Sequence, residues 1–274
     1  MIAFRDVSAR YPGAAANALQ GVTLAAERGA VTAVAGPNGS GKSTLVRALL
    51  RSVSLSSGLV TIEGVDVHTL SRRAVARRVA VVPQREEPAF PLLVRDYVAI
   101  GRYPHSGLWG APTAADMRAI EAAVTRAGIE PLTGRRTDQL SGGEWQRVRI
   151  ARALAQSPED GSRPGAAAIV LDEPTTFLDV AHEMAVFELL AGLARAGAAV
   201  LLVTHQLNLV ARFADHMVLL HRGSVAASGA PGDVMQASIL ERVYEWPLVV
   251  TRDPAVGAPT LVPLRSSAAA GTRP

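Results

Sequence analysis

The chain contains no cysteine, a single lysine, few aromatic residues (4%) and no long uninterrupted apolar run in its 274 residues. Without cysteine there is no disulfide framework and no thiolate metal site, which fits a reducing compartment. A bilayer span needs about 20 mainly apolar residues. The stretch from Ala196 to Ala211 comes nearest, but it is shorter and carries Thr204, His205, Gln206 and Asn208. The opening residues, MIAFRDVSARYPG, lack the basic-then-apolar pattern of a secretion signal, so a cytosolic location is the expectation. Basic and acidic side chains number 28 and 24, and the arginines are scattered rather than clustered. That distribution reads first as a solvated surface and supports a nucleic-acid partner only weakly, so none is expected.

What is present is 49% apolar composition, enough for a sizeable core. Four short apolar runs, Val31 to Ala35, Val79 to Val82, Ala168 to Leu171 and Val200 to Val203, are too continuous for strands with one wet face. They predict strands of a sheet covered on both sides. Helical patterns lie between them: Thr44 to Arg51, Thr113 to Ala127, Glu144 to Ala155 and Val180 to Ala194. Thr113 with Asp116 forms a capping-box start, and Gly128 a stop. The alternation predicts an α/β fold with a mainly parallel sheet. Further segments, Ile2 to Val7, Ala18 to Leu24, Leu59 to Ile62, Met217 to Leu220 and Ser224 to Ala227, read as antiparallel strands. Residues of about 85–155 interrupt the alternation with prolines, the loop Tyr103 to Pro112 and helices, and predict an inserted helical subdomain. Residues 1–264 are expected to form one domain, and the small, polar residues 265–274 a disordered tail.

Ligands of open α/β sheets bind beyond the carboxyl ends of the strands. The four apolar runs are followed by Gly36 to Thr44, by Gln84, by Asp172 and Glu173, and by His205, which should therefore converge on one edge. Gly36-Pro37-Asn38-Gly39-Ser40-Gly41-Lys42-Ser43-Thr44 matches G-x-x-x-x-G-K-[ST] between a strand and a helix. Glycines let backbone N–H groups turn around phosphate oxygens, and a helix N-terminus adds its positive end. Lys42, the chain's only lysine, would reach the outer phosphates, and the Ser43 hydroxyl would coordinate Mg²⁺. Asp172 and Glu173 end an apolar strand; adjacent side chains diverge, so Asp172 can orient hydrated Mg²⁺ while Glu173 polarises an attacking water. By themselves, two carboxylates at a strand end read more readily as solvated charges; beside a phosphate loop the functional reading takes precedence.

Leu140-Ser141-Gly142-Gly143-Glu144 adds a pentapeptide that a chain of average composition would hold by chance in well under roughly one case in a hundred. It also reads as a capped helix start, with Ser141 before Glu144. With these motifs together the chain resembles the ATP-binding cassette family of ATPases, a resemblance that extends to about Leu264. It implies that Tyr11 stacks on adenine and that Gln84 contacts Mg²⁺ and the attacking water and links the site to a membrane partner. It further implies that Asp179 crosses to another subunit and that His205 contacts the γ-phosphate. Ser141, Gly142 and Gly143 would contact nucleotide bound to a second copy, so the resemblance implies a homodimer. Departures from the pattern are Trp145 where glutamine is frequent, Gln206 where aspartate often follows the histidine, and a long link at Pro158 to Ala167.

Tyr97-Val-Ala-Ile-Gly-Arg102-Tyr-Pro-His105 and Leu178-Asp-Val-Ala-His182 resemble the branch that energises uptake of iron chelates, haem and vitamin B12. That resemblance implies an ATP-driven importer at the cytoplasmic face of the membrane, with a FecCD-type permease and a separate substrate-binding protein. Other classes stay open at this point: the ATPase of an exporter, a non-transport cassette protein acting on ribosomes or DNA, and a small-molecule kinase built on the same phosphate loop.

Overall fold

The computed structural model describes residues 1–86, 88–105, 112–157, 168–176 and 178–265. Most of the loop expected before Pro112, the link at 158–167, Phe177 and the tail from 266 lie outside the described residues. In chain order the strands are β1 (Ile2–Ala9), β2 (Leu19–Ala26), β3 (Ala30–Ala35), β4 (Leu55–Ile62), β5 (Val65–Asp66), β6 (Val79–Val82), β7 (Ala168–Asp172), β8 (Ala199–Val203), β9 (His216–His221), β10 (Ser224–Gly229), β11 (Leu248–Arg252) and β12 (Pro259–Pro263). The helices are α1 (Lys42–Leu49), α2 (Arg72–Ala76), α3 (Val94–Ala99), α4 (Ala114–Ala127), α5 (Gly142–Ala155), α6 (Val180–Arg195), α7 (Leu207–Phe213), α8 (Pro231–Val234) and α9 (Ala237–Tyr244). Among the described residues no helix is long and apolar enough to cross a membrane.

A six-stranded sheet in the order β10-β9-β3-β8-β7-β6 forms the centre. Its strands β3, β8, β7 and β6 run parallel, and all five residues of β7 and of β8 are buried. Burial on both faces is why these segments lack alternation. The pleat still sorts their side chains. Val200 and Leu202 point to a core shared with α3 to α6, whereas Ala199, Leu201 and Val203 point to a core shared with α1, β1, β2 and β4. A second, antiparallel sheet, β2-β1-β4-β5, covers that other side.

Helix starts follow local chemistry. The Thr113 hydroxyl accepts from the backbone N–H of Asp116 while Asp116 reaches back, and Gly128, at φ +62°, ends α4 in the left-handed conformation. Ser141 and Glu144 make the same reciprocal pair at the start of α5. The Asp179 side chain caps α6. Each cap satisfies amide donors that the first helical turn leaves without a partner.

Two expectations need correction. The segment Met217 to Leu220 lies in β9, which is antiparallel to β10 but parallel to β3; just before it, Asp215 accepts from the Val31 amide at 2.8 Å and fixes the entry of β9 beside the start of β3. The first helix starts at Lys42 and ends at Leu49, and Arg51, read as helical, sits at φ +58°.

The register of the parallel strands fixes where the site lies. Val82, Leu171, Leu202 and Ala33 occupy one transverse row, so β6, β7, β8 and β3 end together on the same edge. Leu201, fully buried in the middle of this sheet, sets the spacing to the second sheet. Leu201→Ala should lower the free energy of unfolding by about 2–5 kcal/mol, read as a shift in the urea midpoint at unchanged slope.

Candidate nucleotide site

The chain leaves β3 through Gly36, whose φ is +146°. A Cβ there would lie 2.2 Å from the Leu220 carbonyl, so only glycine lets the loop turn so close to β9. The loop closes on itself through the Ser40 amide and the Pro37 carbonyl at 3.2 Å, and the Gly223 amide anchors it from outside by donating to the Ser40 carbonyl at 3.0 Å. Gly41 then takes the N-cap position of α1 at φ +107°, with no side chain to cap the helix. The amides of the first turn of α1 are thus left for an external acceptor, the arrangement that suits phosphate.

Tyr11, Asn38, Gly39, Gly41, Lys42, Ser43, Thr44, Gln84 and Glu173 line one cleft of about 340 Å³. Lys42 is buried at its base, where its ammonium donates to the carbonyls of Gly36 at 2.7 Å and Pro37 at 3.0 Å. Burial weakens its hold on its proton, while the facing charges of Glu173 and Asp172 strengthen it. Asp172 is raised above the ordinary carboxylate range, first by burial and then by repulsion from Glu173, against the pull of Lys42 and a hydrogen bond with Ser43. Its Oδ1 is buried without a hydrogen-bond partner. Two carboxylates and one ammonium therefore leave a net negative charge beside the Ser43 hydroxyl, with an unmatched acceptor oxygen. Oxygen donors of this kind fit a hard divalent cation such as Mg²⁺.

Glu173 follows at φ +51°, a conformation that side chains other than glycine rarely adopt and that signals a locally imposed geometry. Its Oε2 is bonded to Nδ1 of His205, and the Glu173 amide donates to the Val203 carbonyl at 2.8 Å. His205 meets the site only through that bond and does not line the cleft; its side chain is 56% exposed against 10% for Glu173. The turn carrying Gln84 is pinned to α5: Arg149 donates to the Pro83 carbonyl, and the Trp145 indole donates to the Glu86 carbonyl at 3.2 Å. Arg152 pairs with Glu86 at 3.2 Å.

Ser141, Gly142 and Gly143 lie elsewhere, at the start of α5, and do not line this cleft. Asp179 is also outside it and pairs with His182 at 2.7 Å. A Cβ on Gly143 would sit 1.9 Å from the His182 ring, so that glycine lets α5 and α6 meet. Two of the three departures from the family pattern, Trp145 and Gln206, make bonds. Trp145 packs against Tyr97, with ring centres 4.7 Å apart and planes tilted by 52°, in addition to holding Glu86. The amide of Gln206 donates to Glu183 and shares a 3.1 Å hydrogen bond with Thr175, which ties the segment after β7 to the segment after β8.

Sequence reading missed Arg47, which donates to the Tyr11 hydroxyl at 2.7 Å and places its guanidinium 5.8 Å from the ring centre. Its position one helical turn after Ser43 was the available signal. It also missed Gly223 and Arg149, whose contacts depend on distant chain segments.

Residues 19–176 match the ABC transporter family model. The chain belongs to that family and has the α/β fold of its ATP-binding cassette. The cobalamin import ATP-binding protein BtuD of Halobacterium salinarum is 40% identical over 247 residues, 89% of this chain and 60% of that relative, so the chain spans three fifths of its length. The ferric enterobactin transport ATP-binding protein FepC of Escherichia coli is 37% identical over 250 residues, 91% of this chain and 89% of that protein. A solved ABC transporter of metal-chelate type, in an inward-facing conformation, superimposes with a TM-score of 0.80 at 26% identity, covering 97% of this chain and 98% of its own. A dimeric bacterial ABC transporter cassette gives a TM-score of 0.68 at 27% identity, covering 84% and 99%.

Replacing Gly36 by alanine should distort the loop that holds Lys42. We expect fluorescent ATP-analogue binding to fall at least about tenfold, together with a loss of about 1–3 kcal/mol in unfolding free energy from the strained backbone; titration and urea denaturation read the two effects separately.

Proposed function

We propose that the chain is the ATP-hydrolysing subunit of an importer for an iron chelate, haem or cobalamin, acting as a homodimer beneath a FecCD-type permease at the cytoplasmic face of the membrane. The observation that carries this reading is the convergence of the phosphate loop, Gln84 and Glu173 on one cleft, with His205 bonded to Glu173, while the Ser141-Gly142-Gly143 turn sits apart on α5. A signature that does not reach the cleft of its own chain is explained by a second copy that it completes. The dimeric cassette among the similar structures supports that arrangement. The roles of the enterobactin and cobalamin relatives support the cargo class, with iron chelates preferred. In this scheme a substrate-binding protein delivers cargo to the permease, residues 1–264 act as one nucleotide-binding domain, and nucleic acid has no part.

The residues divide the work. First-turn amides of α1 and the Lys42 ammonium bind the outer phosphates of ATP, and Tyr11 stacks on adenine at the mouth of the cleft. Ser43, Asp172 and Gln84 would hold Mg²⁺, which when bound draws charge from the phosphate oxygens. Glu173 takes the proton of the attacking water as general base. Its bond to His205 fixes the orientation of one carboxylate oxygen and leaves the other for water. His205 contacts the γ-phosphate, and Asp179 with the Ser141 turn seals the site of the other copy. Loss of the γ-phosphate removes the contact that favours the closed dimer, which converts hydrolysis into movement.

Phe90 and Tyr103 are 64% and 61% exposed, and Ile100 and Met117 are also exposed. These four apolar side chains, all between residues 90 and 117, support a permease contact on the helical part of the molecule.

Glu173→Gln should leave nucleotide binding intact and reduce steady-state phosphate release by about 10² to 10⁴-fold; unchanged release would remove Glu173 from the general-base role. Mixing Lys42→Ala with Ser141→Arg chains should restore part of the activity that each lacks alone, since one composite site in the mixed dimer remains intact. An absence of recovery, with mixed dimers detected by differential tagging, would count against a shared site.

A further inference from the structure

The Gly101 to His105 turn has no place in the cleft, yet its side chains converge on one end of the helix that begins with the signature. Three successive carbonyls at the C-terminal end of α5 are gripped by it. Arg102 donates through Nη1 to the carbonyls of Ala155 at 2.8 Å and Ser157 at 3.0 Å, and the His105 Nε2 lies 2.8 Å from the carbonyl of Gln156. These groups belong to the end of a helix, where carbonyls lack intrahelical donors. Gly101 brings the turn against α5 so closely that a Cβ would lie 2.2 Å from the Arg152 carbonyl.

The same turn is held from two other directions. Arg102 Nε pairs with Asp116 at 2.8 Å, both side chains being less than a tenth exposed, and Asp116 belongs to the first turn of α4. On the side of the central sheet, Arg73 and Arg77 donate to the Pro104 carbonyl at 2.8 and 2.7 Å. The Gln156 amide donates to the carbonyls of Ala76 at 2.7 Å and Val79 at 3.1 Å, the second of these in β6. The C-terminal end of α5 is therefore a joint between the helical part and the sheet that carries the phosphate loop.

We infer that Arg102 and His105 are positioning residues that set the angle of α5 at this joint and thereby place Ser141 and Gly142 for the nucleotide held by a second copy. This rests on the two-copy site proposed above and adds to it a lever arm. The 14 residues of α5 make it about 20 Å long, so a tilt of about 5° at the joint moves Ser141 by roughly 2 Å. Displacements of about 1 Å in a reacting constellation can cost 10²-fold in rate. Only a planar fork supplies Nε to one carboxylate and Nη1 to two carbonyls at once, so lysine cannot replace Arg102 even though it keeps the charge opposite Asp116.

The test compares the full-length chain with Arg102→Lys, His105→Ala and His105→Gln. It measures kcat and KM for ATP, affinity for a fluorescent ATP analogue and the thermal unfolding midpoint. Arg102→Lys and His105→Ala should lower kcat about 10 to 100-fold while analogue affinity, set by the phosphate loop of the same chain, stays within about twofold. His105→Gln, which restores an N–H donor towards the Gln156 carbonyl, should recover much of the rate. Wild-type kcat in Arg102→Lys, equal losses of kcat and analogue affinity, or His105→Gln no better than His105→Ala would each overturn the inference. If Arg102→Lys does not fold, the two His105 variants decide. A parent chain that binds ATP but never hydrolyses it overturns the proposed function itself, whereas a fully active Arg102→Lys overturns only the role of the joint.

Discussion

The structure depends on burying one ammonium among backbone carbonyls and two carboxylates. Lys42 is held by the carbonyls of Gly36 and Pro37 and faces Asp172 and Glu173. An isolated charge in that position would be expelled or neutralised. What keeps it charged is the sheet, since β3 delivers the phosphate loop and β7 delivers the acidic pair to the same transverse level. Burial disfavours both the Lys42 ammonium and the Asp172 carboxylate, and repulsion from Glu173 raises Asp172 further, so the two carboxylates face each other at a cost that a bound cation would relieve. Such a site is matched by a divalent cation with a polyphosphate, the pair the proposed activity uses.

Around this core the molecule is a set of connections between strand ends. Gln206 ties the segment after β8 to Thr175 and Glu183, and His205 is bonded to Glu173. Trp145, Arg149 and Arg152 fasten the turn bearing Gln84 to α5. The turn bearing Gln84, which lines the cleft together with the phosphate loop, is thus hydrogen-bonded to the signature helix.

Local chemistry was legible in the sequence wherever a residue acts on its own neighbours. Thr113 with Asp116, Ser141 with Glu144 and Gly128 each form the caps their spacing predicts. The buried parallel strands were legible because two covered faces suppress alternation, and the strand ends led to the residues that meet in the cleft. The direction of β9 was not, since nothing within His216 to His221 distinguishes pairing with β3 from pairing with β10. The hairpin of β11 and β12 was hidden by Pro259 and Pro263, which read as breakers yet occupy the two ends of a strand with a single partner. Arg102 was visible as part of a motif, but its partners Asp116, Ala155 and Ser157 come from other parts of the chain, and no local pattern announces them.

The central claim is that nucleotide gripped by one copy is closed over by the Ser141 turn of another. Sedimentation velocity of the Glu173→Gln chain, with hydrolysis suppressed, tests it most directly. ATP with magnesium should convert a monomer to a dimer, and ADP should leave it monomeric. A chain that binds ATP and still sediments as a monomer at every protein concentration would contradict the account.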